Sequence, residues 1–157
     1  MPARARRDPA SALRDAVAAQ QALLADAGGE VGAAQTADDP AGLVDRLLTL
    51  VLAGLDLPDP VAPDRGALRL VVKALAERLT QSAPGRHVEV RVPPHAAVQC
   101  VAGPRHTRGT PPNVVEADPV AFVELCTGRL SWADAAADGR VRTWGDRADL
   151  SPYLPLP

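Results

Sequence analysis

The amino-acid sequence predicts an α+β protein. Three segments of the first half repeat their apolar residues at helical spacing, and the pattern then changes to strict alternation at residues 87–92. The dipeptide Asp-Pro also marks three helix starts, at Asp8-Pro9, Asp39-Pro40 and Asp118-Pro119. In each case the Asp carboxylate can accept from free N–H groups of a first helical turn. Pro at the first helical position lacks only an N–H that would have no partner inside the helix.

The first helix is expected over about residues 9–27. Leu13, Val17, Gln20 and Leu24 form its stripe, with Ala16 and Leu23 beside them, and Gly28-Gly29 ends it. A small-residue polar linker leads to a second helix over about residues 40–54. Here Leu43, Leu47, Leu50 and Val51 are widened by Val44, Leu48, Leu52 and Leu55. So broad an apolar surface calls for burial between neighbours. It also suits a further interface, so a homodimer through the N-terminal helices is one expected partnership. Pro58, Pro60 and Pro63 then break the chain. The expected organisation is a helical extension, residues 1–63, packed on a domain of residues 64–157.

A third helix begins near Asp64. Leu68, Val71, Val72, Leu75 and Leu79 share one face, and their burial contributes on the order of 7–15 kcal/mol before chain entropy is charged against it. Pro84-Gly85 ends it. His87 to Val92 alternates Val88, Val90 and Val92 with His87, Glu89 and Arg91, the pattern of a half-buried strand. Pro93-Pro94 turns the chain into a second strand, residues 96–101, with Ala96, Val98 and Cys100 on one face. A polar loop from Gly103 to Pro112 precedes a short third strand, Asn113 to Ala117. The helix after Asp118-Pro119 buries Phe122, Leu125 and Cys126 and stops at Gly128. Ser131 to Asp134 resembles a capping box with Asp in place of Glu or Gln. Val141 to Trp144 is the last strand, and the Pro-punctuated tail from Leu150 is expected to lie against the domain.

Composition narrows the function classes. The chain has 157 residues, 46% of them apolar, and its only aromatics are Phe122, Trp132, Trp144 and Tyr153. A core of Ala, Leu and Val leaves room for an internal cavity. With 17 basic and 19 acidic residues the net charge is −2, which offers no footprint for nucleic acid. The basic run Arg4, Arg6, Arg7 reads as a solvated terminus. No apolar run approaches the ~20 residues of a membrane span, and the start lacks the pattern of a signal peptide. A cytoplasmic protein is expected, with Cys100 and Cys126 as free, buried thiols.

Candidate chemistry is sparse. His87, His95, His106 and Cys100 invite a metal reading, but no His-x₃-His or Cys-x₂-Cys pair supplies zinc-ligand spacing, so no metal or cofactor is expected. These histidines fit surface and loop positions, with His87 on the polar face of its strand. Both cysteines fall on apolar sides, unlike an activated nucleophile. No base, nucleophile and orienter occur together, so no enzyme is expected. The most function-like segment is the loop holding Arg105, His106, Thr107, Arg108 and Thr110, with Gly109. Its side chains can hold a phosphate or carboxylate, or can bond the loop's own carbonyls with Glu116 or Asp118 nearby.

Two separated runs add a resemblance. The first is Val90-Arg91-Val92-Pro93-Pro94 through Ala97-Val98-Gln99-Cys100, then Gly103-Pro104-Arg105-His106-Thr107-Arg108-Gly109-Thr110-Pro111-Pro112-Asn113-Val114-Val115-Glu116. The second is Thr127-Gly128-Arg129-Leu130-Ser131-Trp132-Ala133-Asp134-Ala135, Asp138-Gly139-Arg140-Val141 and Gly145-Asp146-Arg147-Ala148-Asp149-Leu150. Both resemble bacterial sterol carrier family proteins, and the likeness covers roughly residues 68–157. It implies a curved, mainly antiparallel sheet of four or five strands with helices on one face. It also implies an apolar tunnel for sterols or acyl chains between the layers. Val98, Phe122, Leu125, Trp132 and Trp144 are then candidates to line the cavity, with the Arg105–Thr110 loop meeting a head group. The expected function is a non-enzymatic carrier of an apolar or amphipathic, lipid-like ligand. The alternative is a structural or protein-interaction module with no small ligand. The fold also resembles the C-terminal domain of thiol-dependent maleylpyruvate isomerases. Their metal site is His-rich and N-terminal, and here no His precedes His87.

Overall fold

All three Asp-Pro starts are used. In a computed structural model, which describes residues 8–30, 39–104 and 113–157, Asp8 accepts from the Ala10 N–H at 3.1 Å and Asp39 from the Gly42 N–H at 2.9 Å. Asp118 accepts from the N–H groups of Val120 and Ala121, both at 3.0 Å. The helices they open are α1 (Pro9–Asp26), α2 (Pro40–Leu55) and α4 (Pro119–Cys126), with α3 (Arg65–Ser82) and α5 (Trp132–Ala137) completing the set. The strands are β1 (Val88–Val92), β2 (Ala96–Cys100), β3 (Val114–Ala117) and β4 (Val141–Trp144), followed by a 3₁₀ turn at Ser151–Tyr153. At α5 the Ser131 hydroxyl oxygen accepts from the Asp134 N–H at 3.1 Å while its O–H donates to the Asp134 carboxylate at 2.6 Å. The shorter Asp thus closes the box side chain to side chain.

The chain divides into two compact units, one ending at Val71 and one beginning at Val72. In the first, α1 packs on α2. Leu13, Ala16, Val17, Gln20 and Leu24 are buried on α1, and Leu43, Leu47, Leu50 and Val51 on α2. Gln20 is fully buried, and its Oε1 accepts from the Asp64 N–H at 2.9 Å. That bond ties the Pro-rich connection to α1, and the Asp64 carboxylate in turn accepts from the Ala67 N–H. The apolar stripe of α3 differs in one place from the sequence reading. Leu68 is only half-buried, whereas Ala67 and Ala76 are buried beside Val71, Val72, Leu75 and Leu79. Alanine takes part in the core here because its methyl lets the helix approach closely.

The second unit holds one sheet in the order β2-β1-β3-β4. β1 pairs antiparallel with β2 and parallel with β3, and β3 pairs antiparallel with β4, so the sheet is mixed and mainly antiparallel. Its register sorts the side chains. Val98, Val90, Val115 and Thr143 stand in one row across the strands, and Ala117 and Val141 share their face. The opposite face carries a row running Ala97, Arg91, Glu116, Arg142, whose charges alternate in sign between neighbouring strands. Arg91 also pairs with Glu89 on its own strand. On α4, Ala121, Phe122, Val123, Leu125 and Cys126 are buried. The tail returns to this helix: Leu150 is buried, and the Leu156 N–H donates to the Cys126 carbonyl at 2.9 Å.

The junction of α3 and β1 depends on Gly85. Its φ is +153°, and a Cβ there would lie 2.0 Å from the Val101 carbonyl oxygen. Backbone cannot move aside as a side-chain tip can, and the Val101 N–H is fixed by a 2.7 Å bond to the Ala83 carbonyl. Gly85→Ala is expected to lower stability by about 2–4 kcal/mol, read as a shift of the urea midpoint. An unchanged midpoint contradicts this account of the junction.

Candidate functional site

The candidate site is a groove between α3 and β2. Lys73, Ala76, Glu77 and Thr80 follow one another at i, i+3, i+4 and i+7, so one face of the helix presents them together. Opposite them run His95, Ala96, Ala97 and Val98, and the groove between has a volume of about 370 Å³, within the range of small-molecule sites. It exists because its floor is built of small side chains. Ala76 is buried, and Ala96 and Val98 are half-buried. Ala96 and Val98 also lie on the apolar face of the sheet, so the groove is a break in the covering of that face.

Its rim is polar. Lys73 is exposed and is the only lysine in the chain. Glu77 is exposed one turn on, and the Thr80 hydroxyl donates to the Glu77 carbonyl at 2.7 Å. His95 stands at the end of the β1–β2 turn, where its N–H donates to the Val92 carbonyl at 2.8 Å. An apolar floor with a cation at the rim can take a chain-like molecule whose head carries negative charge.

A second polar cluster lies at the entry of β1 and corrects the sequence reading. His87 is 5% exposed, not on a solvated polar face. Its burial comes from groups outside the strand. Gly103 lies so close that a Cβ there would stand 2.4 Å from the imidazole Cγ. Asn113, also buried, donates from Nδ2 to the His87 carbonyl at 3.2 Å, and its Oδ1 accepts from the Arg147 N–H at 3.0 Å. Those bonds fix the amide's orientation, so Nδ2 also faces His87 Nε2, at 3.2 Å, and Nε2 is the acceptor there. Nothing in the sequence singled out Asn113, because its partners are 26 and 34 residues away.

The two cysteines are buried free thiols. Burial pushes the thiol of Cys100 up to about 11 and that of Cys126 up to about 12, by denying the thiolate its solvation. Both are therefore protonated, and hence weak nucleophiles, near neutral pH. Two outcomes follow. A disulfide reagent at pH 8 should label the folded chain very slowly and the unfolded chain at both thiols at once. Stability should also fall as pH climbs above the ordinary thiol value of 9.0 towards about 11, because only the unfolded chain ionises in that window. Fast labelling of the folded chain contradicts both.

The other expected site residues are placed as follows. Val98 lines the groove. Phe122 and Leu125 are buried on α4, and Trp132 is half-buried on α5. Trp144 is 50% exposed at the end of β4, on the opposite face of the sheet from Val98. The loop residues Arg105, His106, Thr107, Arg108 and Thr110 lie outside the described residues. Among the described residues, no three His, Cys, Asp or Glu side chains gather as a metal-ligand group, and no helix is long and apolar enough to cross a membrane.

No curated protein matches the chain. A protein-family model does: the one described as the bacterial SCP ortholog matches residues 64–156, from the cap of α3 to the end of the tail. That is more than half of the sequence, and it contains the whole sheet, α3 to α5 and the groove. The chain belongs to the bacterial sterol carrier family.

Proposed function

We propose that this protein is a non-enzymatic carrier of an apolar or amphipathic, lipid-like ligand, held in the groove between α3 and β2. The observation that carries the proposal is the groove itself, about 370 Å³ over a floor of Ala76, Ala96 and Val98. Family membership supports the same reading, since the family is generally one of carrier domains. An acyl chain would gain by leaving water for such a floor, at about 25 cal/mol for each Å² of apolar surface covered. Lys73 would face the head group. A surface pair of that kind contributes about 0.2–1 kcal/mol, so the apolar floor carries most of the affinity and Lys73 biases it towards anions.

Titration with a fluorescent long-chain fatty acid tests this. Saturable binding is expected, with Val98→Arg abolishing it by filling the groove and charging its floor. Lys73→Glu should weaken binding about three- to tenfold, because it replaces a weak attraction by a comparable repulsion. Absence of saturable binding, or binding indifferent to Val98→Arg, contradicts the proposal.

A further inference from the structure

The strand β4 ends the sheet with its outer edge bare. The Asp118 N–H donates to the Arg140 carbonyl at 2.9 Å, which sets the phase of the β3–β4 ladder. Hydrogen-bonded and non-bonded pairs alternate along an antiparallel ladder. The bonded pairs are therefore Glu116 with Arg142 and Val114 with Trp144, and Val141 and Thr143 turn their N–H and C=O groups away from β3. Among the described residues no hydrogen bond to those outward groups is present. Arg142, Thr143 and Trp144 are exposed in succession, so both faces of the edge are open. Trp144, half exposed, stands out with Leu23 as an exposed large apolar side chain among the described residues. Of the devices that guard such an edge, β4 has its shortness and one charge, Arg142, 3.9 Å from Glu116 of β3, but no Pro, Lys or bulge.

We propose that β4 pairs antiparallel with β4 of a second copy of this chain across a two-fold axis at Thr143, joining the two sheets into one. The choice of register follows from the side chains. Centred on Arg142, the pairing would set two guanidinium groups directly opposite, which is destabilising. Centred on Trp144, every bonded pair would need a residue beyond the strand, the first being Thr143 with Gly145, whose φ of +94° is not extended. Centred on Thr143, the axis falls on a residue whose backbone groups point outward, as a bonded pair requires. It also sets Arg142 of each copy opposite Trp144 of the other, two cation–π contacts on the polar face of the sheet. The like faces of the two sheets continue into one another, and the interface closes on itself without leading to a fibre. A lipid surface is the poorer occupant, since hydrocarbon cannot bond the outward N–H and C=O groups.

Sedimentation velocity of the full chain, from low micromolar to several hundred micromolar, is the test. A reversible monomer–dimer equilibrium is expected. Thr143→Pro removes an outward N–H and leaves the β3 ladder intact, as Pro on a free edge can, and should abolish the dimer while circular dichroism is unchanged. Trp144→Ala, which asks nothing of the backbone, should raise the dimer Kd about tenfold. A monomer at every concentration overturns the proposal. So does a dimer that Trp144→Ala leaves untouched, which places the interface elsewhere, for example on the N-terminal helices. Binding of the monomer to phosphatidylcholine vesicles, with Trp144 emission of a Trp132→Phe variant shifting to the blue and no dimer forming, assigns the edge to lipid and overturns it too.

Discussion

Phe122→Ala is expected to lower stability by about 3–5 kcal/mol. Phe122 is the only phenylalanine in the chain and, among the described residues, the largest fully buried side chain, at 2% exposure. The residues around it in sequence, Ala121 and Val123, are themselves fully buried and small. Removing the ring deletes its transfer free energy and leaves a void in the core. The loss is a large share of a stability that for most domains totals about 5–15 kcal/mol. Phe122→Leu keeps most of the volume and should cost about 1–2 kcal/mol. Urea unfolding followed by circular dichroism reads both. Equal midpoints for the Ala variant and the parent chain contradict the assignment of Phe122 to the core.

Asn113→Ala comes next, at about 3 kcal/mol. The side chain is 4% exposed and serves several groups at once: the His87 carbonyl and Nε2 through Nδ2, and the Arg147 N–H through Oδ1. Alanine would leave the buried His87 groups and the part-buried Arg147 N–H without their partner, which costs more than a hydrogen bond gains. The position also joins three stretches of chain: the entry of β1, the entry of β3 and the turn after β4. The Asn113 carbonyl adds to this by accepting from the Glu89 N–H at 2.9 Å. Asn113→Asp separates shape from chemistry. It keeps an oxygen for the Arg147 N–H but turns another towards the His87 carbonyl, and it should be no more stable than the Ala variant at pH 7. Midpoints within about half a kcal/mol of the parent for both variants would sink the account.

Local pattern and long-range packing divide what the sequence discloses. The three Asp-Pro caps, the stripe from Leu13 to Leu24 and the alternation of Val88, Val90 and Val92 each arise within one element, and each is found where its spacing places it. The two segments quoted for the family resemblance fall inside the matched residues 64–156. His87 shows the limit. Its alternation with Val88 is plain, but its burial is decided by Gly103 and Asn113, which no periodicity connects to it. The groove has the same character. Lys73, Ala76, Glu77 and Thr80 declare a helix face, but only the packing of α3 beside β2 sets them opposite Ala96 and Val98. The one available signal was negative, a cluster of alanines where a core would use larger side chains. The bare edge of β4 was hidden for another reason. Strand order, which makes β4 an end of the sheet, is a property of the topology and not of Val-Arg-Thr-Trp itself. Trp144, in sequence a candidate to line the cavity, stands in the structure half in water.

We propose that this chain carries a lipid-like molecule without transforming it. Native mass spectrometry of the freshly purified full chain tests it most directly. The expected spectrum shows a bound species of lipid mass that is lost on denaturation, recovered intact in an organic extract, and replaced in the stripped protein by an added fatty acid or sterol. A spectrum of the bare chain alone, with no adduct and no thermal shift from either kind of lipid, would contradict it.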